Sequence, residues 1–146
     1  MSAMSVVLRE ATAEDVASVV HLVGAMLRDM ASYGGRALDA EHQVESELRA
    51  HLTSGLGDRD HVVLLAALEG NEKAPVGVIE ASVRSPHSVF RSRRVLHIHS
   101  IYVEPGYRRE GIGRALLEAA LEWGREAGCV EAELNVLVNN PAWRLY

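Results

Sequence analysis

A single cysteine, Cys129, cannot close a disulfide within the chain; lying between a helix end and a strand, it reads as a small buried hydrophobe. Long apolar runs are missing too. The longest, His61–Leu68, is far shorter than a bilayer requires, which predicts no membrane partner. No charged-then-apolar leader precedes the first strand, so no secretory signal is expected and the setting is cytoplasmic. Nor is there a basic excess. A net charge of −5 and a pI near 5.8 predict no nucleic-acid partner and lean toward a cationic small substrate. Repeats, low-complexity tracts and domain linkers are absent. What is present is 48% apolar and 24% charged residues, which predicts one globular domain over residues 1–146 with an ordinary core.

Element order follows from the periodicities. Ser5–Arg9 reads as a strand. Thr12–Asp15 gives a capping-box-like start to a helix carrying Val16, Val19, Val20, Val23, Met26, Leu27 and Met30, ending before Tyr33-Gly34-Gly35. Asp39 caps a second helix, with Val44, Leu48 and Leu52, that stops near Ser54-Gly55. His61–Leu68 and Val76–Val83 are β-rich runs joined by the hairpin loop Glu69–Pro75. Ser85–Arg94 is a polar loop, and Arg84, Arg91, Arg93 and Arg94 form either a solvated basic cluster or a contact for a phosphate or acidic substrate. Val95–Val103 is a fourth strand. A third helix, Ile112–Gly128, buries Ile112, Leu116, Ala119, Ala120, Trp123 and Ala127 on one face and stops at Gly128. Val130–Val138 is a fifth strand, and Asn140-Pro141 opens a fourth helix. The order β-α-α-β-β-β-α-β-α predicts an α/β fold: a mixed sheet with helices on both faces and a parallel crossover from Val95 to Val138.

The stretch Val95–Arg114 carries the chemistry. A strand running through a Pro-Gly turn into glycines at a helix N-terminus exposes backbone N–H groups at the positive end of a helix dipole, and arginines beside it suit phosphate oxygens. Gly106–Gly111 fits the outer glycines of a P-loop, yet Ile112-Gly113 stands where Lys and Ser/Thr are needed. The dinucleotide pattern fails as well: Gly111-x-Gly113 is followed by Arg114-Ala115-Leu116.

A third pattern fits. Arg108-x-x-Gly111-x-Gly113, after a strand ending Tyr102-Val103-x-Pro105 and before a Leu/Ala-rich helix, resembles the GNAT superfamily of acyl-CoA-dependent N-acyltransferases. Asn139-x-x-Ala142-x-x-Leu145-Tyr146 resembles that family's segment at the fifth strand and fourth helix. The resemblance covers most of the chain in element order and Leu96–Tyr146 in motif. It implies the GNAT fold and transfer of an acetyl group from acetyl-CoA, with no metal, to a primary amine on a small molecule or peptide. The amine attacks the thioester directly in a ternary complex. Pantetheine would lie between splayed fourth and fifth strands, on the backbone of Ile101, Tyr102 and Val103. The diphosphate would rest on the loop Arg108, Arg109, Glu110, Gly111, Ile112, Gly113 and Arg114. Asn139 would bond the pantetheine arm and Tyr146 would protonate the leaving thiolate, a role its unperturbed pKa of about 10 suits. A backbone N–H of the fourth strand would stabilise the oxyanion, worth about 3 kcal/mol by analogy with other donors.

For the base, His99 and Glu80 are the candidates. His97 and His99 are read as sharing a face with Ile101 and Val103. A metal reading of the His97–His99 pair lacks a third ligand. His21, His42 and His51 fall on the first two helices, which line the acceptor side in the family. The family continues past the fourth helix into further strands, so an open fifth strand predicts a homodimer or larger oligomer. The competing reading is a non-catalytic acyl-CoA-binding sensor or interaction module with the same fold.

Overall fold

In His61–Leu68 apolar residues stand at consecutive positions, a pattern a strand sustains only when both its faces are covered. The structure, a computed structural model, describes residues 5–32, 41–85 and 94–134, and of residues 41–44 the backbone alone. Its elements are β1 (Val6–Glu10), α1 (Val16–Ser32), α2 (Glu41–Gly55), β2 (His61–Leu68), β3 (Gly77–Arg84), β4 (Val95–Val103), α3 (Ile112–Glu126) and β5 (Glu131–Leu134). The sheet runs β1-β2-β3-β4-β5, antiparallel from β1 to β4 and parallel between β4 and β5, which are joined through α3. The mixed sheet and its crossover are therefore as the sequence predicts.

Each face has its own core. Val62, Leu64, Ala66, Ile79, Ala81, Leu96 and Ile98 pack under Ile112, Leu116 and Ala120 of α3. Val63, Leu65, Val78 and Tyr102 pack under Val19, Val20, Leu22 and Val23 of α1 and Leu52 of α2. Adjacent residues of β2 thus enter opposite cores, as a period of two requires. Among the described residues no helix is long and apolar enough to cross a membrane.

The boundaries of β2 and β4 fall where the sequence places them. The third helix ends at Glu126, two residues short of the predicted stop, and Gly128 then takes the left-handed conformation (φ 88°) of a helix-terminating residue. The described part of the fifth strand is Glu131–Leu134. The rest of its predicted span, the helix from Asn140, and the Asp39 cap lie outside the described residues.

One expectation fails. Glu80 pairs with Ser100 while Ala81 pairs with Ile98, so His99 is an extra residue in β4, a β-bulge. The bulge shifts the phase of the strand. Leu96 and Ile98 face α3 before it, and Ile101 and Val103 face α3 after it. His97, which alternates with Leu96 and Ile98, and His99, whose ring nears α2, therefore lie on the face opposite Ile101 and Val103, not on theirs.

The start of α1 is pinned by a charge pair. The Asp15 carboxylate accepts from Arg9 Nη1 and Nη2 (2.7 and 2.8 Å) and from the Thr12 N–H (2.8 Å), closing the predicted cap across a 3-10 turn. The Arg9 bonds hold Asp15 at a pKa of about 2 against the opposing effect of burial. A carboxylate whose folded pKa is depressed adds stability above its unfolded pKa and loses it as pH falls through the folded value. We expect about 2 kcal/mol from this pair at neutral pH. Asp15→Asn should remove that amount in denaturant titration at pH 7, and the difference from the parent should close between about pH 4 and pH 2. Equal stability of the two proteins at pH 7 would contradict this.

Candidate active site

At the end of β4 the chain makes a 3-10 turn, Pro105–Tyr107, then passes Arg109 (φ 66°) and Gly111 (φ 82°) before α3 starts at Ile112. A Cβ at Gly111 would meet nothing within 4 Å, so its requirement for glycine is conformational. The Ala115 N–H donates to the Gly111 carbonyl at 3.0 Å, which leaves the N–H groups of Ile112, Gly113 and Arg114 ahead of the first helical bond. Gly111, as N-cap, offers no side chain to satisfy them, and the first turn of α3 holds no acidic residue. An anion is the natural partner for such an end.

The loop side chains divide by task. Ile112 is buried beneath α3, so only its backbone is available to a ligand. Arg108 is already engaged: Nε donates to the Val103 carbonyl (2.8 Å), Nη2 meets Asp29 of α1 (3.1 Å), and the guanidinium stands 5.2 Å from the centre of the Tyr102 ring. It braces the loop against α1. Glu110, Arg109 and Arg114 are exposed, and neither arginine has an ion pair among the described residues.

Beside the bulge, on the α1/α2 face, lies a cluster of imidazoles around one carboxylate. Glu80 is 4% exposed, and its Oε2 meets His51 Nε2 of α2 at 2.7 Å and His61 Nε2 of β2 at 2.6 Å. His99 Nε2 pairs with Ser82 Oγ at 2.6 Å, and His97 Nδ1 pairs with Glu133 of β5 at 3.0 Å. Two of the seven histidines thus bond Glu80; the His99 ring stands 6.3 and 6.5 Å from theirs, and the His97 ring 4.6 Å from that of His99. Burial pushes Glu80 up, but the bonds and charges of His61 and His51 outweigh it and the carboxyl stays below its ordinary range. His61 is raised, chiefly by its bond to Glu80. His99 is lowered, first by partial burial among its neighbours and then by the positive charges of His97, Arg84 and His61, against the pull of Glu80. A histidine held neutral in this way can accept a proton.

The structure brings the two predicted base candidates, His99 and Glu80, into one cluster. It also shows partners that were missed. His51 is read from sequence only as one of three helix histidines, and His61 is not singled out. Strand phase offers a signal for His61: counting from the β2–β3 hairpin places it on the same face as Val63, which stands directly opposite Glu80. Gly55 ends α2 against the His61 ring, where a Cβ would sit 2.6 Å from Cε1. Of the basic loop, Arg94 is occupied by the Ala127 carbonyl (2.8 Å) and Asp60 (2.9 Å), while Arg91 and Arg93 lie outside the described residues. Ile101, Tyr102 and Val103 follow the bulge, past the last described pairing with β5 at Ile98–Leu134. Asn139 and Tyr146 lie outside the described residues.

Comparison with known proteins bears on this arrangement. Residues 25–146 match the model of the acetyltransferase (GNAT) family. An aminoglycoside N(6')-acetyltransferase type 1 of Klebsiella aerogenes is 35% identical over 102 residues, 70% of this chain and 64% of that protein. A counterpart from Stenotrophomonas maltophilia is 37% identical over 81 residues, 55% of this chain and 52% of that one. The chain thus spans about half to two-thirds of the length of these curated relatives. A thialysine N-epsilon-acetyltransferase of Bos taurus is 29% identical across 97% of this chain and 81% of its own. Among solved structures, an aminoglycoside N-acetyltransferase in complex with CoA superposes with a TM-score of 0.75 at 18% identity, covering 98% of this chain and 84% of that one. A predicted acetyltransferase with acetyl-CoA from Clostridium acetobutylicum gives 0.78 at 17%, covering 95% and 86%. At those identities the likeness establishes the fold.

Proposed function

The chain belongs to the acetyltransferase (GNAT) family, and from that premise we propose that it transfers an acetyl group from acetyl-CoA to a primary amine of a small cationic molecule. The observation that carries this reading is the uncapped N-terminus of α3 behind Gly111, aimed at a ligand with negative charge. Acetyl-CoA supplies a diphosphate for those N–H groups, and its pantetheine arm runs along Ile101–Val103 of β4. Arg109 and Arg114 add charge from outside the cradle. Arg108 contributes by keeping the loop against α1.

The amine arrives as an ammonium ion and must lose a proton before its nitrogen attacks the thioester carbon. His99 takes that proton, with Glu80 behind it stabilising the charge on the imidazole cluster. The tetrahedral intermediate then collapses with loss of the CoA thiolate, which Tyr146 protonates; the second proton, shed by the nitrogen as the amide forms, restores the Tyr146 hydroxyl, while Asn139 holds the pantetheine arm. A net charge of −5 and the buried carboxylate favour a cationic acceptor. The aminoglycoside and thialysine acetyltransferases among the relatives make polyamino sugars and lysine-like amines the first acceptors to try. A lone cysteine and this donor fit a cytoplasmic enzyme made of a single domain.

The experiment is a thiol-release assay with acetyl-CoA against a panel of aminoglycosides, lysine analogues and N-terminal peptides. Free CoA should appear in step with acetylated product for at least one cationic amine. Tight acetyl-CoA binding without thiol release across the panel would replace the enzyme with a binding module.

A further inference from the structure

We infer that His51, His61 and Glu80, with His99 as the fourth donor, form a site for a borderline divalent cation of the zinc type. The donor set comes from four separate elements: the last turn of α2, the first residue of β2, the middle of β3 and the bulge of β4. One ligand atom each of His51, His61 and Glu80 lies within 4.8 Å of the others. Both Nε2 atoms point at the same oxygen, Glu80 Oε2, at 2.7 and 2.6 Å. Around a tetrahedral zinc ion, with bonds of about 2.0–2.2 Å, ligand atoms stand about 3.3–3.5 Å apart. The two nitrogen–oxygen separations therefore need to open by less than about 1 Å to admit the ion, while the two imidazole nitrogens stay within 4.8 Å of each other.

The rings carry a second argument. The centres of His51, His61 and His99 form a nearly equilateral triangle with sides of 6.1, 6.3 and 6.5 Å. Three imidazoles on one tetrahedral ion have centres about 5 Å apart. The bulge is what brings the third ring in, because it releases His99 from the strand register. Among the described residues the one hydrogen-bond partner of the His99 side chain is Ser82 Oγ, an exchangeable one, and the His51 side chain is half exposed, so both can move inward. His61 and Glu80 are buried and supply the fixed half of the site. Two or three imidazoles with one carboxylate suit zinc and its neighbours better than magnesium or calcium, which prefer all-oxygen shells.

Binding through Nε2 moves the proton of each neutral ring to Nδ1, and any imidazolium proton leaves to solvent, so uptake is accompanied by proton release. The pair weighed from sequence, His97 and His99, is not the site, since His97 is engaged by Glu133 of β5. If the acetyltransferase reading holds, an ion here occupies the proton-accepting groups and inhibits transfer. Metal binding itself does not depend on that reading.

The test is calorimetric titration of the chelator-stripped full chain with Zn²⁺, and optical titration with Co²⁺. We expect one equivalent bound, a Co²⁺ spectrum of tetrahedral type, and a rise in Tm on saturation. His51→Ala, at the exposed corner, and His61→Gln should each weaken binding by more than about 100-fold, beyond the loss typical of an outer-shell change. His21→Ala, on α1, should bind as the parent does. The half-exposed His51 makes its variant the one most certain to fold, with Tm of the metal-free form as the check. Absence of binding to the parent at micromolar Zn²⁺, or unchanged affinity in folded His51→Ala, would overturn the site. Zinc inhibition of thiol release with a midpoint matching the calorimetric Kd would tie the site to the reaction. Loss of acetyl transfer under all conditions with intact zinc binding would sink the catalytic reading alone.

Discussion

Gly113→Glu should abolish acetyl-CoA binding and leave the fold standing. The position lies in the first turn of α3, in helical backbone, where a glutamate complements the dipole and adds about 0.3–1 kcal/mol to helix stability. The change thus favours the free protein. The same carboxylate, however, brings bulk and negative charge to the N–H groups of Ile112, Gly113 and Arg114, the groups the diphosphate must reach. The substitution is therefore a test in which stability and binding move in opposite directions. We expect the Kd for acetyl-CoA to rise by at least about 100-fold, close to 2.7 kcal/mol, with Tm unchanged or slightly raised. Calorimetric titration and a melting curve on one preparation measure both. Parental affinity in a folded variant would place the donor elsewhere on the molecule.

His99→Ala is the second large effect. General base catalysis by a positioned side chain contributes about 10²–10⁴-fold, and kcat should fall by that factor. The KM for acetyl-CoA should hold, because the diphosphate cradle and the histidine cluster are separate: one is backbone at the start of α3, the other lies across β2, β3 and α2. Ser82→Ala, which removes the hydroxyl that orients His99 at 2.6 Å, should give a smaller loss in kcat. A kcat for His99→Ala within about threefold of the parent would mean the proton leaves by another route, far below the range for a lost base.

The chain's architecture is largely legible from its turns. β2 begins and ends where predicted because Gly55–Asp60 and Glu69–Pro75 bracket it, and β4 because the polar run Ser85–Arg94 and the Pro105-Gly106 turn do the same. The diphosphate loop is legible for the same reason: its glycines and the onset of the α3 stripe are local signals. The bulge is not. Val95–Val103 alternates well enough to be read in a single phase, and only its pairing with β3, with Ile98 and Ser100 opposite adjacent residues, shows that His99 is extra. The histidine cluster is hidden for a related reason. His51 and His61 are ten residues apart on different elements, and their meeting at Glu80 depends on how α2 crosses the sheet, which no local pattern encodes. Arg108 teaches the opposite lesson. A motif arginine looks like a ligand for phosphate, yet its side chain is held by Asp29 and the Val103 carbonyl, contacts made across 79 and 5 residues of sequence.

The most direct test of the central claim is a crystal structure of the chain with acetyl-CoA bound. The account predicts the diphosphate on the N–H groups of Ile112, Gly113 and Arg114, the pantetheine arm along Ile101–Val103, and the thioester opening toward the His99 side of the bulge. A diphosphate seated away from the start of α3 would contradict it.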